Sequence, residues 1–317
     1  MLLELFLLIL GFGLLIKGAD FFVDGASALA VRLSISQIVI GLTIVAFGTS
    51  APELVVNIFA AIAGKTDISF GNIIGSDIAN ILLILGIAGM IHPLQTQKNT
   101  VWREIPFAFL AVIVLFIICN DQLFDHTADL LSRGDAIILL LFFSIFLIYN
   151  FAISKVEIRD KPDIKILSKS KIVLFLTIGI AGLILGGQMA VNNATAIASY
   201  WGLSDRLIGL TIISLGTSLP ELATSAVAAY KNKSDIAIGN IIGSNIFNIF
   251  FILGITAVIK PIPFDAGMNT DIAILFIASI LLFLTMFTGK KRLLERWEAT
   301  IFLIIYFVYI GFLIIRN

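Results

Sequence analysis

The 317-residue chain has one cysteine, Cys119, and two histidines, His92 and His126. One cysteine excludes an internal disulfide and any cysteine-built zinc site, and two histidines are too few for a His-rich metal centre. Charge is also scarce: Asp, Glu, Lys and Arg make up 13% of the residues, about half the share of an ordinary soluble domain. Acidic and basic residues balance at 21 each, which argues against a basic nucleic-acid surface. There is no Ser/His pair, no paired catalytic aspartates and no HExxH motif, so an intramembrane enzyme is not expected.

What is present is apolar. Hydrophobic residues make up 59% of the chain, and the mean hydropathy is +1.06. A chain of this composition has lipid for its solvent. The first twenty residues lack a basic n-region, carry Glu4 and show no small-residue cleavage site; they read as a retained span rather than a signal peptide.

Apolar stretches of about bilayer length recur ten times, at 2–23, 37–63, 70–91, 104–119, 135–153, 172–194, 206–230, 237–259, 272–288 and 298–315. With the N-terminus outside, the inward loops hold 15 of the 21 lysines and arginines. The positive-inside rule then sets both termini outside and the polar linker 154–171 in the cytoplasm, in a protein of the cell membrane. The linker is too short for a folded regulatory domain. It divides a first half, 1–153, from a second, 172–317.

The halves are copies. A constant offset of 168 aligns Gly41 with Gly209, Pro52 with Pro220 and Gly75 with Gly243, and 31 of the 54 positions from Ile40 to Pro93 are identical in the second copy. Five spans per half is an odd number, so the second copy enters the membrane upside down. The expected fold is an all-α membrane protein of ten transmembrane helices, arranged as two inverted five-helix repeats. Inverted repeats build many secondary transporters, with the substrate site at the midplane.

The strongest motif reads GLTIVAFGTSAPEL at 41–54 and GLTIISLGTSLPEL at 209–222. Pro52 and Pro220 cannot donate to the carbonyls of Gly48 and Gly216, so each helix kinks and frees main-chain oxygens. Open backbone at membrane depth is tolerated only where protein or a polar cavity receives it. Free carbonyls, hydroxyls and a carboxylate within one turn make an oxygen surface, which suits hard cations such as calcium and sodium. Glu53 and Glu221, at equivalent places in inverted copies, meet near the midplane and repel unless a cation sits between them. Intramembrane carboxylates are as a rule functional, which weighs against a pair that merely joins helices.

A second motif follows, GNIIGSDIANILLILG at 71–86 and GNIIGSNIFNIFFILG at 239–254. Asn72, Ser76 and Asn80 share one helical face, as do Asn240, Ser244 and Asn248. Taken alone, these are equally well read as polar glue between helices. Beside the glutamate motif, ion ligation by Ser76, Asn80, Ser244 and Asn248 is the better reading. Asp77, whose counterpart is Asn245, either lines an ion pathway or faces a polar neighbour. Lys17 and Asp20, one turn apart, read as an ion pair within the first span. Trp102, Trp201 and Trp297 read as interfacial anchors, and His92 and His126 fall in loops.

At GTSxPE and GNxxGSxxxN, each present twice, the chain resembles the prokaryotic sodium/calcium exchangers of the calcium/cation antiporter superfamily, over nearly its whole length. The resemblance implies antiport by alternating access, three sodium ions for one calcium, at four clustered sites, with the lateral helices 2–23 and 172–194 sliding across the core. It implies calcium ligation by Glu53 and Glu221 and by the main-chain oxygens of Thr49 and Thr217. It further implies sodium ligation by Ser50, Ser218, Ser76 and Ser244, two to each side, completed by the carbonyls of Ala46 and Ser214. Asn80 and Asn248 match positions that border the middle site. No cofactor, nucleic acid or obligatory protein partner is expected beyond the ions and the bilayer. A proton/calcium or potassium-dependent antiporter would share the fold and the glutamates; non-titrating serines and asparagines favour sodium. A cation channel is less expected, because channels usually ring a pore with identical subunits.

Overall fold

The computed structural model describes residues 2–64, 67–124, 126–153, 167–202 and 214–316. Within them the chain is helical apart from four two-residue strands. Eight helices there are long and apolar enough to cross a membrane. They are α1 (Leu2–Leu33), α4 (Ser69–Ile91), α5 (Thr100–Cys119), α6 (Arg133–Ile153), α7 (Lys169–Tyr200), α9 (Ser234–Ile259), α10 (Ala266–Thr285) and α11 (Arg296–Arg316). Two further helices, α2 (Gln37–Thr49) and α3 (Ala51–Ala63), meet at a 47° bend and make a ninth span if counted together. The expected seventh span, 206–230, lies partly outside the described residues. Its described part is a single turn, Ser214–Gly216, followed by α8 (Leu219–Tyr230). Of the linker 154–171, only the residues from 167 onward are described.

The bend has the cause expected of it. Helical hydrogen bonding restarts after Ser50 (φ −82°, ψ 7°), and Pro52 occupies the first turn of α3, where a missing N–H is harmless. Ser218 (φ −88°, ψ 3°) and Pro220 repeat this arrangement at α8.

Two expected spans were drawn too short. The first continues to Leu33 rather than 23, and the sixth runs from Lys169 to Tyr200 rather than 172–194. Backbone hydrogen bonding does not require apolar side chains, so each helix extends past the point where hydropathy falls.

α4 and α9 form the centre. Their most apolar stretches are 78% and 83% buried, against 22–33% for the other six spanning helices. Large apolar side chains on the outer helices face outward, among them Ile9, Phe59, Phe151 and Phe307. This is the surface a lipid solvent allows.

α2 crosses α9 at the backbone. A β-carbon on Gly243 would stand 2.6 Å from the Leu42 carbonyl oxygen. α1 and α7 run antiparallel along a glycine seam: Gly11 faces Gly186 and Ala190, Gly18 faces Gly179 and Leu183, and Gly25 faces Phe175 and Leu176. Two short ribbons join the two halves. β1 (Leu94–Gln95) pairs with β4 (Leu293–Leu294), and β2 (Leu130–Leu131) with β3 (Ile262–Pro263), both antiparallel.

The Lys17–Asp20 pairing expected within the first span is corrected. The Asp20 carboxylate lies 2.6 Å from Lys231 Nζ, just past α8, and Asp24 lies 2.8 Å from Lys231 and 2.9 Å from Lys233. Burial holds the Lys233 ammonium below its ordinary range, with Asp24 acting against the shift.

Candidate ion-binding site

The two motifs meet in the interior, and they meet crosswise. Thr49 Oγ1 donates to Asn240 Oδ1 at 2.9 Å, and Thr217 Oγ1 to Asn72 Oδ1 at 3.4 Å. Ser50 Oγ lies 3.0 Å from Ser244 Oγ, and Ser218 Oγ lies 3.1 Å from Ser76 Oγ. Each glutamate-bearing break therefore rests on the central helix of the other copy. Ser50 Oγ also reaches Glu221 Oε1 at 2.8 Å, and Ser244 Oγ lies 3.5 Å from the same oxygen.

The central helices touch each other through amides. Asn80 Nδ2 donates to Asn245 Oδ1 at 2.9 Å, and Asn248 Nδ2 donates to Asp77 Oδ1 at 2.8 Å. Both asparagines sit at the start of π-helical turns, Ala79–Ile84 and Phe247–Ile252. Such turns loosen the hydrogen-bond ladder and occur often at functional sites.

Thr49, Ser50, Glu53, Ser76, Asn80, Ser218, Glu221, Ser244 and Asn248 are all buried, and Thr217 is partly so. Ala46 is buried too, and its carbonyl oxygen accepts from the Ser50 N–H at 2.9 Å and from Thr49 Oγ1 at 3.2 Å. Ser214 opens the turn before Gly216.

Several buried acceptors stand without a donor. Glu53 Oε2, Glu221 Oε2, Asp77 Oδ2, Asn80 Oδ1 and Asn248 Oδ1 are all buried without a hydrogen-bond partner. Buried polar atoms are normally paired, and no ion pair among the described residues involves Glu53, Glu221 or Asp77. Unpartnered oxygens of this kind, two of them on the glutamates, are what a dehydrated cation needs. Among the described residues no three His, Cys, Asp or Glu side chains cluster as a metal cage. The oxygens come instead from pairs of carboxylates, hydroxyls and amides, a donor set suited to hard ions.

Some contributors escaped the sequence reading of ligands. Asn72 and Asn240 hold the threonines in place, and Asn57 Nδ2 caps the Glu53 carbonyl at 2.8 Å. Their signal was spacing: Asn72 and Asn240 begin the i, i+4, i+8 faces, and Asn57 lies one turn beyond Glu53.

A cavity of about 270 Å³ reaches the motif from one side, bordered by Pro52, Val55, Gln188, Asn192, Thr217 and Pro220. It lies between α3, α7 and the start of α8. The Asp20 and Asp24 ion pairs lie beyond the other end of α8, which is about 18 Å long at 1.5 Å per residue.

Residues 3–152 and 171–315 match the profile of the sodium/calcium exchanger protein family. The inner membrane protein YrbG of Escherichia coli (strain K12) is 37% identical over 294 residues, covering 89% of this chain and 88% of YrbG. The sodium/calcium exchanger MaX1 of Methanosarcina acetivorans is 29% identical over 339 residues, 96% of each. Among solved structures, the sodium-calcium exchanger NCX_Mj soaked with 10 mM Na+ and no Ca2+ superposes with a TM-score of 0.84 at 34% identity, covering 98% of each chain.

Proposed function

The chain belongs to the sodium/calcium exchanger family and is a cation/calcium antiporter of the membrane, and we propose that it exchanges three sodium ions for one calcium by alternating access. The observation that carries this reading is the set of buried, unpartnered oxygens on Glu53, Glu221, Asn80 and Asn248. Calcium balances the charge of the two glutamates, and sodium ions that bind on the side where calcium leaves replace it.

Glu53, Glu221 and the main-chain oxygens of Thr49 and Thr217 form the calcium position. Ser50 with Ser244, and Ser218 with Ser76, form the two flanking sodium positions, completed by the carbonyls of Ala46 and Ser214. Asn80 and Asn248 border the middle. The crosswise hydroxyl pairs at 3.0 and 3.1 Å support two like positions on either side of the glutamates.

The architecture in this proposal is ten spans in two inverted repeats, 1–153 and 172–317, joined by a cytoplasmic linker at 154–171. Both termini lie outside the cell membrane. Antiparallel α1 and α7 and the two crossed ribbons support the inversion. α1 and α7 move as a pair across the core. The cavity beside α3 and α7, together with ion pairs beyond the far end of α8, fits a molecule open on one side only.

The test is calcium-45 uptake into proteoliposomes loaded with sodium, against loads of potassium, choline or acidic buffer. Uptake that requires internal sodium and disappears in Glu53→Gln supports sodium/calcium exchange at this site. Uptake driven by a proton gradient without sodium sinks the sodium assignment.

A further inference from the structure

Away from the ion-binding site, a second group of unpartnered oxygens lies where α5 begins and α6 ends. Glu104 Oε2, Thr100 Oγ1 and Asn150 Oδ1 are all buried without a hydrogen-bond partner, in residues 3%, 1% and 0% exposed. The helix pairing brings them together. Phe107 of α5 and Phe146 of α6 stack with ring centroids 5.7 Å apart, and one turn along, the Tyr149 hydroxyl donates to Glu104 Oε1 at 3.3 Å. Glu104 precedes Phe107 by three positions and Asn150 follows Phe146 by four, so both lie on the faces that the two helices turn to each other. Thr100 stands one turn further along the face of Glu104. The stretch Thr100–Glu104 is itself a π-helical turn, a distortion that occurs often at functional sites.

Nothing nearby neutralises the carboxylate. Glu104 makes no ion pair among the described residues. Arg103, its neighbour in sequence, reaches the Tyr149 hydroxyl at 3.4 Å instead. A charge buried without a partner is costly. The second copy has no such group: Met268 and Ile272 stand at the places that match Thr100 and Glu104. The cluster is therefore no part of the repeated motifs.

We propose that Glu104, Thr100 and Asn150 form a second cation site that holds one alkali-metal ion and clamps α6 to α5 where the chain passes into the linker. The donor set decides the class of ion. One carboxylate, one hydroxyl and one amide carry a single negative charge, which a monovalent ion neutralises. A divalent ion would leave positive charge buried there. Calcium takes about six to eight oxygens, and magnesium an octahedron; the three side chains offer fewer. All of these oxygens are hard ligands, as an alkali-metal ion requires. The site shares no residue with the one around Glu53 and Glu221, and it stands whether or not the chain exchanges sodium for calcium.

The test is amide hydrogen exchange on the full-length protein carrying Glu53→Gln and Glu221→Gln, which removes the carboxylate charges of the transport site. Exchange is followed at 100–104 and 149–153 in equal concentrations of sodium, potassium or choline chloride. Sodium or potassium is expected to slow exchange there by about three-fold or more relative to choline, the protection given by a site about two-thirds occupied. The stronger of the two identifies the ion. Adding Glu104→Gln is expected to abolish the difference. If that variant is not monodisperse, Thr100→Val, which keeps the shape and removes one ligand, is measured the same way and is expected to reduce it. Equal exchange in all three salts, or a difference that survives the substitution unchanged, overturns the site.

Discussion

The hydroxyl of Ser50 and the carboxylate of Glu221 lie 2.8 Å apart, although 171 positions separate them in the chain. A serine beside one glutamate in sequence thus serves the other glutamate in space. Removing it takes a ligand and a donor from the opposite carboxylate. Ser50→Ala is expected to raise the sodium concentration for half-maximal calcium uptake by about three- to ten-fold, since hydrogen bonds to charged groups are worth ~1.5–3 kcal/mol and the ion regains part of that. An unchanged sodium curve would remove Ser50 from the site.

The glutamates themselves are expected to be indispensable for transport and dispensable for folding. Glu53→Gln and Glu221→Gln each retain shape and remove a buried charge, which relieves repulsion within an empty site. Calcium-45 uptake should fall by about a hundred-fold or more, the scale of a lost charged ligand at ~2.7 kcal/mol or beyond. Apparent melting temperature without ions should hold or rise. Uptake within a few-fold of wild type would place the site elsewhere.

Asp24 ties α1 to both Lys231 and Lys233, and the second copy has nothing of the kind: Asn192, Ala63 and Lys65 occupy the matching positions. Among the described residues these ion pairs tie α1 to the end of α8. Neutralising a partly exposed pair is worth up to ~1 kcal/mol, about five-fold in an equilibrium. Val55→Cys, in the cavity, reports that equilibrium through its maleimide labelling rate, against low background from the buried Cys119. Adding Asp24→Asn is expected to slow labelling by up to about five-fold. The same rate in both proteins would show that the ion pairs do not bias the state.

Backbone contact between α2 and α9 leaves no room for a methyl group. Gly243→Ala places a carbon 2.6 Å from the Leu42 carbonyl and is expected to cost about 1–3 kcal/mol. Thermal unfolding in detergent should show it as a lowered midpoint. Gly13→Ala, with nothing within 4 Å of its would-be β-carbon, serves as the control and should leave the midpoint in place.

Much of this was legible beforehand, and what was not has a physical reason. Glu53, Pro52 and their counterparts stand out because proline and carboxylate in an apolar run have no innocent role. The bend at Ser50 follows from proline's missing N–H. The partners of these residues were not legible, because a repeat reveals equivalence rather than contact. Nothing in the sequence says that Thr49 turns to Asn240 and not to Asn72. Spacing along one helix points Asp20 at Lys17, because local spacing is all the sequence shows. Its actual partner, Lys231, arrives through the folding of α8 against α1.

The two ribbons each take one strand from before the linker and one from after it, as do the threonine–asparagine and serine–serine pairs. Two separate chains make contacts of this kind when they embrace. A half-length ancestor carrying one set of motifs would have found partners for its threonine and serines only in a second copy of itself. The molecule is in this sense a dimer whose protomers have been joined end to end by gene duplication and fusion. The fragments 1–153 and 172–317, made together in one cell, are expected to reassemble.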